Sequence, residues 1–143
     1  MVSHTCKIAI KSVVYLSCKS SQGEKAGIKE IAEHSNASEH TIGKTLQSLV
    51  KQKIINSLKG PTGGFYLTNQ QQNLPLFNIV ETIEGKGTFK ECGLGLHKCS
   101  ESRPCPIHND YKVARELIEK IFKEKKVKDL CDTVNNGLAF LID

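Results

Sequence analysis

The run Lys59-Gly60-Pro61-Thr62-Gly63-Gly64 separates two short stretches of strand-forming residues, Ile54-Ile55-Asn56-Ser57-Leu58 and Phe65-Tyr66-Leu67-Thr68. Glycine adopts backbone angles that other residues avoid and proline pre-sets one, so this composition supplies the dihedrals of a tight reversal. The flanking stretches then read as the two strands of a hairpin. The rest of the chain reads as helix and loop, so the expected class is mainly α with one small β-hairpin. What stands around the hairpin decides its use.

Upstream, Cys6, Ala9, Ile10, Val13, Val14 and Ser17 recur at helical spacing and predict a first helix over about 6–19. A polar, glycine-punctuated loop follows at 20–27. Ile28, Ile31 and Ala32 mark a short helix closed at His34-Ser35-Asn36, with Ala37 a small buried candidate in the turn. Ser38 can cap the next helix, because its hydroxyl accepts one of the unpaired N–H groups of the first turn. Ile42, Leu46, Leu49 and Val50 carry that helix's apolar stripe and leave Glu39, His40, Thr41, Lys44 and Gln47 or Ser48 on its outward face. Two short helices joined by a tight turn are either a plain helical hairpin or a helix-turn-helix. A β-hairpin directly after them favours the second and makes the unit a winged helix-turn-helix DNA-binding domain, expected over 1–72. The wing would bring Lys59 and the exposed amides of its turn to phosphate or to the minor groove.

Charge points the same way. Residues 1–70 hold nine lysines against four glutamates, whereas residues 71–143 hold eleven basic and eleven acidic side chains, so the whole formal excess of +5 lies in the first half. A basic half joined to a neutral one suits an anionic partner for the first, and double-stranded DNA is the partner expected.

Asn69-Gln70-Gln71-Gln72-Asn73 reads as a polar connector. Pro75 suits the first turn of a helix whose stripe is Leu76, Ile79, Val80 and Ile83, with Gly85 as its stop. Residues 86–104 lack apolar periodicity and read as a loop. Val113, Ala114, Leu117, Ile118, Ile121 and Phe122 then repeat at three- and four-residue intervals, predicting a long amphipathic helix over about 106–126. Its stripe needs cover, either from the same subunit or from a copy of itself; the second makes it the dimerisation helix of a homodimer. The tail, with Leu138, Phe140, Leu141 and Ile142, could pack back on it. Residues 73–143 thus form a second region of loop and dimerisation helix.

That loop carries the chemistry. Cys92, Cys99, Cys105 and His108 fall within seventeen residues, and thiolate and imidazole are ligands for zinc or an iron–sulfur cluster. Pro106 is suited to the first position inside the long helix, which would place Cys105 at its cap and His108 in its first turn. Residues three apart share a helix face, so Cys105 and His108 could reach one centre, and the helix dipole favours the thiolate. Zinc sites commonly use paired CxxC knuckles, absent here; the wider spacings favour a cluster and leave zinc as an alternative. Cys6, Cys18 and Cys131 are expected as buried small hydrophobes. The first residues lack a basic and apolar leader, and no apolar run approaches the ~20 residues that cross a bilayer. The expected place is therefore the cytoplasm, without membrane contact and with thiols rather than disulfides.

Over about residues 5–132 the chain resembles the bacterial family of winged-helix regulators that includes IscR, NsrR and CymR, the "Rrf-two" family. The resemblance rests on the run from Ser38 to Leu49, on the wing from Ser57 to Leu67, and on the cysteine loop with its helix. It implies a homodimeric, non-enzymatic transcription regulator controlled by the state of a cluster. Cys92, Cys99 and Cys105 match the family's cluster cysteines, and His108 matches the histidine that completes a two-iron (2Fe-2S) cluster in the IscR type. Four-iron (4Fe-4S) members can use an N-terminal aspartate; Lys7 stands near that position, beside Cys6, and an ammonium would not ligate. Ser38 matches a DNA contact, Lys59 replaces a base-reading arginine, His40 replaces a serine and Gly43 a glutamate, so a different operator is implied. The expected DNA-reading set is Ser38, His40, Thr41, Lys44, Lys59, Gly60, Pro61, Thr62 and Gly63. The alternatives are a cluster-free regulator of the same family, acting through thiols or protein partners, and an electron carrier or small redox enzyme.

Overall fold

The structure is a computed structural model that describes residues 2–143. Helix α1 (His4–Ser21) packs against four later helices and one strand, and its sequence suits that position. Cys6, Ile8, Ala9, Ser12, Val13, Val14, Leu16 and Ser17 are all buried, so α1 is enclosed on most of its circumference. Its first turn is capped by Ser3, whose hydroxyl accepts the Cys6 N–H at 3.1 Å.

Helices α2 (Ile28–Ser35) and α3 (Glu39–Lys51) follow, then strands β1 (Asn56–Leu58) and β2 (Gly64–Tyr66). Asn36 closes α2 in the left-handed region at φ 51°, and the Ala37 N–H returns to the Ala32 carbonyl at 3.1 Å. Ile31, Ile42, Leu46, Leu49 and Ile55 are fully buried against Val13 and Leu16 of α1. Behind them, Ser12 and Ser35 satisfy each other inside the core at 3.1 Å.

The hairpin is antiparallel, with Asn56 opposite Tyr66 and Leu58 opposite Gly64. The Gly63 N–H closes its turn on the Gly60 carbonyl at 3.0 Å, with Pro61 at the position where its fixed φ is favourable. Gly63 has no room for a side chain, since a Cβ would lie 2.0 Å from the Leu58 carbonyl oxygen. The loop after α1 adds a rung, because Ala26 and Phe65 exchange both backbone hydrogen bonds. This architecture, mainly helical with a two-stranded wing behind a helix-turn-helix, is the one the sequence predicts.

Downstream come α4 (Asn69–Gln72), α5 (Leu76–Glu84), a single 3-10 turn (Thr88–Lys90), α6 (His108–Glu124) and α7 (Val127–Asn135). The expected polar connector at 69–73 is instead a one-turn helix. Thr68 and Gln71 form a reciprocal capping box, and the buried Gln71 amide also donates to the Lys53 carbonyl and to Asn56 Oδ1, each at 3.0 Å. Pro75 caps α5 rather than standing inside it. A second small core joins Cys6, Val80 and Phe89 with Phe77, Ile118 and Phe122, so α6 is seated on α5 through a run of rings in which Phe77 stacks on Phe89 and Phe122 tilts against it. Burial there pushes the Cys6 thiol up to about 12, in keeping with a small core hydrophobe.

Three further expectations are corrected. The long helix begins at His108, not at Pro106, and ends at Glu124. The tail does not pack back on α6; its helix α7 lies against α1, with Val127 and Cys131 buried there. Cys18 and Cys131 are not two free core thiols but a disulfide joining α1 to α7, with Cα atoms 5.4 Å apart. Residues separated by 113 positions meet because the Leu74–Lys125 region is pinned by a short bridge, Pro75 to Lys126, which turns α7 toward α1.

Candidate metal centre and nucleic-acid interface

The α3 surface is built from its cap outward. Ser38 Oγ accepts the Thr41 N–H at 3.1 Å and donates to Thr41 Oγ1 at 2.9 Å, fixing the first turn. Glu39, His40, Lys44, Gln47 and Ser48 are exposed and Thr41 is half-buried, as expected for an outward face. Lys59, Gly60, Pro61 and Thr62 are exposed at the wing turn and Gly63 is half-buried beneath them. The expected DNA-reading residues thus fall on two elements, one helix and one turn, both free of covering chain.

The loop from Glu91 to Ile107 folds over the start of α6. Cys105, Pro106, Ile107 and His108 form a turn in which the His108 N–H reaches the Cys105 carbonyl at 3.0 Å, so Pro106 serves the turn and not the helix. The helix starts when the Tyr111 N–H bonds the Ile107 carbonyl at 2.9 Å. Cys105 therefore stands ahead of the helix instead of capping it, while His108 keeps its place in the first turn.

The four expected ligands are neighbours. Cys99 Sγ lies 3.3 Å from His108 Nδ1. The Cys92 and Cys105 thiols are near enough for each to bear on the other's titration. Cys92, Cys105 and His108 are buried and Cys99 is half-buried. The Cys92 sulfur accepts the Leu94 N–H at 3.4 Å, and backbone donors of Leu94 and Leu96 hold its thiol below the ordinary value. Burial pushes the Cys105 thiol above its own. His108 Nε2 is buried with no partner. Among the described residues, no three His, Cys, Asp or Glu side chains are set to hold a single metal ion.

Three side chains that the sequence reading passed over hold this loop. Arg115, only 7% exposed, donates from Nη1 to the Glu91 carbonyl at 2.6 Å, directly before Cys92. The Tyr111 ring packs so closely on Gly93 that a Cβ there would approach it to 2.8 Å. Lys112 pairs with Glu101 across the loop's far side. The signal was present in the helix register, because His108, Tyr111 and Arg115 fall at intervals of three and four on one face of α6.

The profile of the family described as "Rrf2: Iron-dependent Transcriptional regulator" matches residues 2–133. The HTH-type transcriptional regulator NsrR of Oceanobacillus iheyensis is 25% identical over 134 residues, spanning 93% of this chain and 90% of the relative. The structure of CymR, the global cysteine regulator of B. subtilis, is similar with a TM-score of 0.75 at 17% identity, over 92% of this chain and 96% of that one. T. potens IscR is similar with a TM-score of 0.73 at 16% identity, over 97% and 91%. At such identities the solved structures speak to the fold, which is the one described above.

Proposed function

The chain belongs to the Rrf2 family of transcriptional regulators, and from that premise we propose that its binding to an operator is controlled by an iron–sulfur cluster held by Cys92, Cys99, Cys105 and His108. The observation that carries this is Cys99 Sγ lying 3.3 Å from His108 Nδ1, with Cys92, Cys105 and His108 buried in a loop that has little other reason to bury them. Two irons share four protein ligands between them, whereas a single zinc would need all four to converge on one point. The donor set of thiolates and imidazole fits a two-iron cluster, with four-iron as the alternative.

Such a cluster, when bound, supplies a centre that changes on oxidation, nitric oxide or iron loss. Everything else is done by the chain. The Leu94 and Leu96 amides stabilise the Cys92 thiolate for ligation, and burial excludes water. Arg115 and the Glu101–Lys112 pair tie the loop to α6. Occupancy of the loop would thereby set the orientation of α6, whose outward face, in this reading, joins two subunits. Two reading heads, each of residues 1–72, would then be spaced for their half-sites by the state of the region 73–143.

Ser38, His40, Thr41 and Lys44 would enter the major groove from α3, and Lys59 to Gly63 would meet backbone or minor groove from the wing. The work is done beside DNA, in the cytoplasm, and involves no catalysis. Anaerobic titration of operator DNA with loaded and cluster-stripped protein tests the reading, and we expect a change in affinity of at least about tenfold, or 1.4 kcal/mol. Equal affinities in the two states would favour the cluster-free alternative, in which thiols alone or protein partners supply the signal.

A further inference from the structure

The centre on α6 leaves a second sulfur site unused. Cys18, on the last turn of α1, and Cys131, on α7, are joined with their Cα atoms 5.4 Å apart, a separation that a disulfide bridges without moving the backbone. The surroundings of the two sulfurs differ. Cys131 is 3% exposed, and its sulfur accepts a hydrogen bond from Asn135 Nδ2 at 3.4 Å. Cys18 is half-buried and lines a cavity of about 480 Å³ together with Tyr15, Lys19, Glu30, His34 and Phe140. That volume lies in the range of small-molecule sites. A transcription regulator works beside DNA, in a compartment kept reducing, where a disulfide is as a rule transient and redox-active.

We propose that Cys18–Cys131 is a thiol–disulfide exchange site, at which a small thiol of the cysteine or glutathione class enters this cavity and attacks Cys18. The new bond forms between the incoming sulfur and Cys18 Sγ as the Cys18–Cys131 bond breaks. The electron pair leaves on the Cys131 sulfur, where the Asn135 amide already donates a hydrogen bond and so favours the thiolate as leaving group. A second small thiol attacks its own kind on the mixed disulfide and leaves Cys18 as a thiol. Two small thiols are oxidised to one small disulfide, the protein pair gains two electrons, and the two thiol protons pass to Cys18 and Cys131. The reverse sequence, with the small disulfide as oxidant, restores the bond. Cys131, enclosed and absent from the cavity lining, is not open to the first attack. Reduction removes the covalent tie between α1, which supports α3, and α7, which continues directly from α6. The site is independent of what Cys92, Cys99, Cys105 and His108 hold.

The test is peptide mapping by mass spectrometry of the full-length protein, oxidised with glutathione disulfide and then given a sub-stoichiometric amount of reduced glutathione before an acid quench. We expect one glutathione on the peptide containing Cys18 and a free thiol at Cys131. In Cys131→Ala, glutathione disulfide should leave a stable adduct at Cys18; in Cys18→Ala, the adduct should be lost rather than moved to Cys131. The wild-type map stands by itself if either variant folds poorly. Glutathione on Cys131 at a level equal to or above Cys18 overturns the proposal. So does recovery of both residues as free thiols from protein kept in glutathione disulfide. The loop cysteines lie on other peptides, so their modification or cluster content does not enter the result.

Discussion

Arg115 ties the start of the cysteine loop to α6. A guanidinium that is 7% exposed and bonded to a neutral carbonyl is costly to bury, and it is retained where it fastens Glu91 and hence Cys92 to α6. A hydrogen bond from a charged group contributes about 1.5–3 kcal/mol, so Arg115→Ala should lower stability by about 2 kcal/mol in urea unfolding. It should also cut the iron retained by the protein. Arg115→Lys should recover little of either, because an ammonium lacks the planar fork that reaches the carbonyl from this position. Unchanged iron content in Arg115→Ala would remove this residue from the account. Among the charges of a long helix, only its register with His108 and Tyr111 marks Arg115 as facing the loop. Cys92, Cys99, Cys105 and His108 stood out as candidates because their chemistry is rare and their spacing close; Arg115 needed the register of α6 relative to a loop with no periodicity.

At the level of elements, α6 was legible as a helix but not in its facing. Its apolar positions cover two sides: Ile118 and Phe122 turn inward to Phe89, while Val113, Leu117 and Ile121 are 59%, 60% and 54% exposed. Periodicity alone cannot separate the sides; the aromatic seat on α5 does. The outward stripe is the surface that a second subunit would cover, and a two-fold interface uses each residue twice. Burying one leucine contributes about 1.5–3 kcal/mol, so Leu117→Lys, applied to both subunits, should give a monomer in light scattering with its melting curve little changed. A dimer that survives this change would place the interface elsewhere. Two further elements escaped the sequence reading for local reasons. Pro106 fits a turn and a helix start equally, since both want its φ, and α4 hides in a polar run because its stability comes from the Thr68–Gln71 box and a buried amide.

For the whole molecule, the division of charge was plain in the sequence, and the exposed face of α3 and the exposed wing turn keep it at the surface. Each lysine that meets a phosphate releases condensed counterions, so Lys44→Ala and Lys59→Ala should each weaken operator binding and reduce the salt slope by about 1. Salt slopes equal to wild type would count against this docking. The meeting of Cys18 with Cys131 could not be read in advance, because it depends on where α7 turns after α6 and not on any local pattern. What the loop over α6 binds decides how the whole molecule is controlled. The most direct measurement is iron and acid-labile sulfide content together with the visible spectrum of protein purified without oxygen. We expect a brown protein with iron and sulfide in equal amounts, about two of each per chain, and loss of colour when Cys92, Cys99 or Cys105 is replaced by alanine. A colourless protein carrying one zinc per chain, or no metal, would contradict the account.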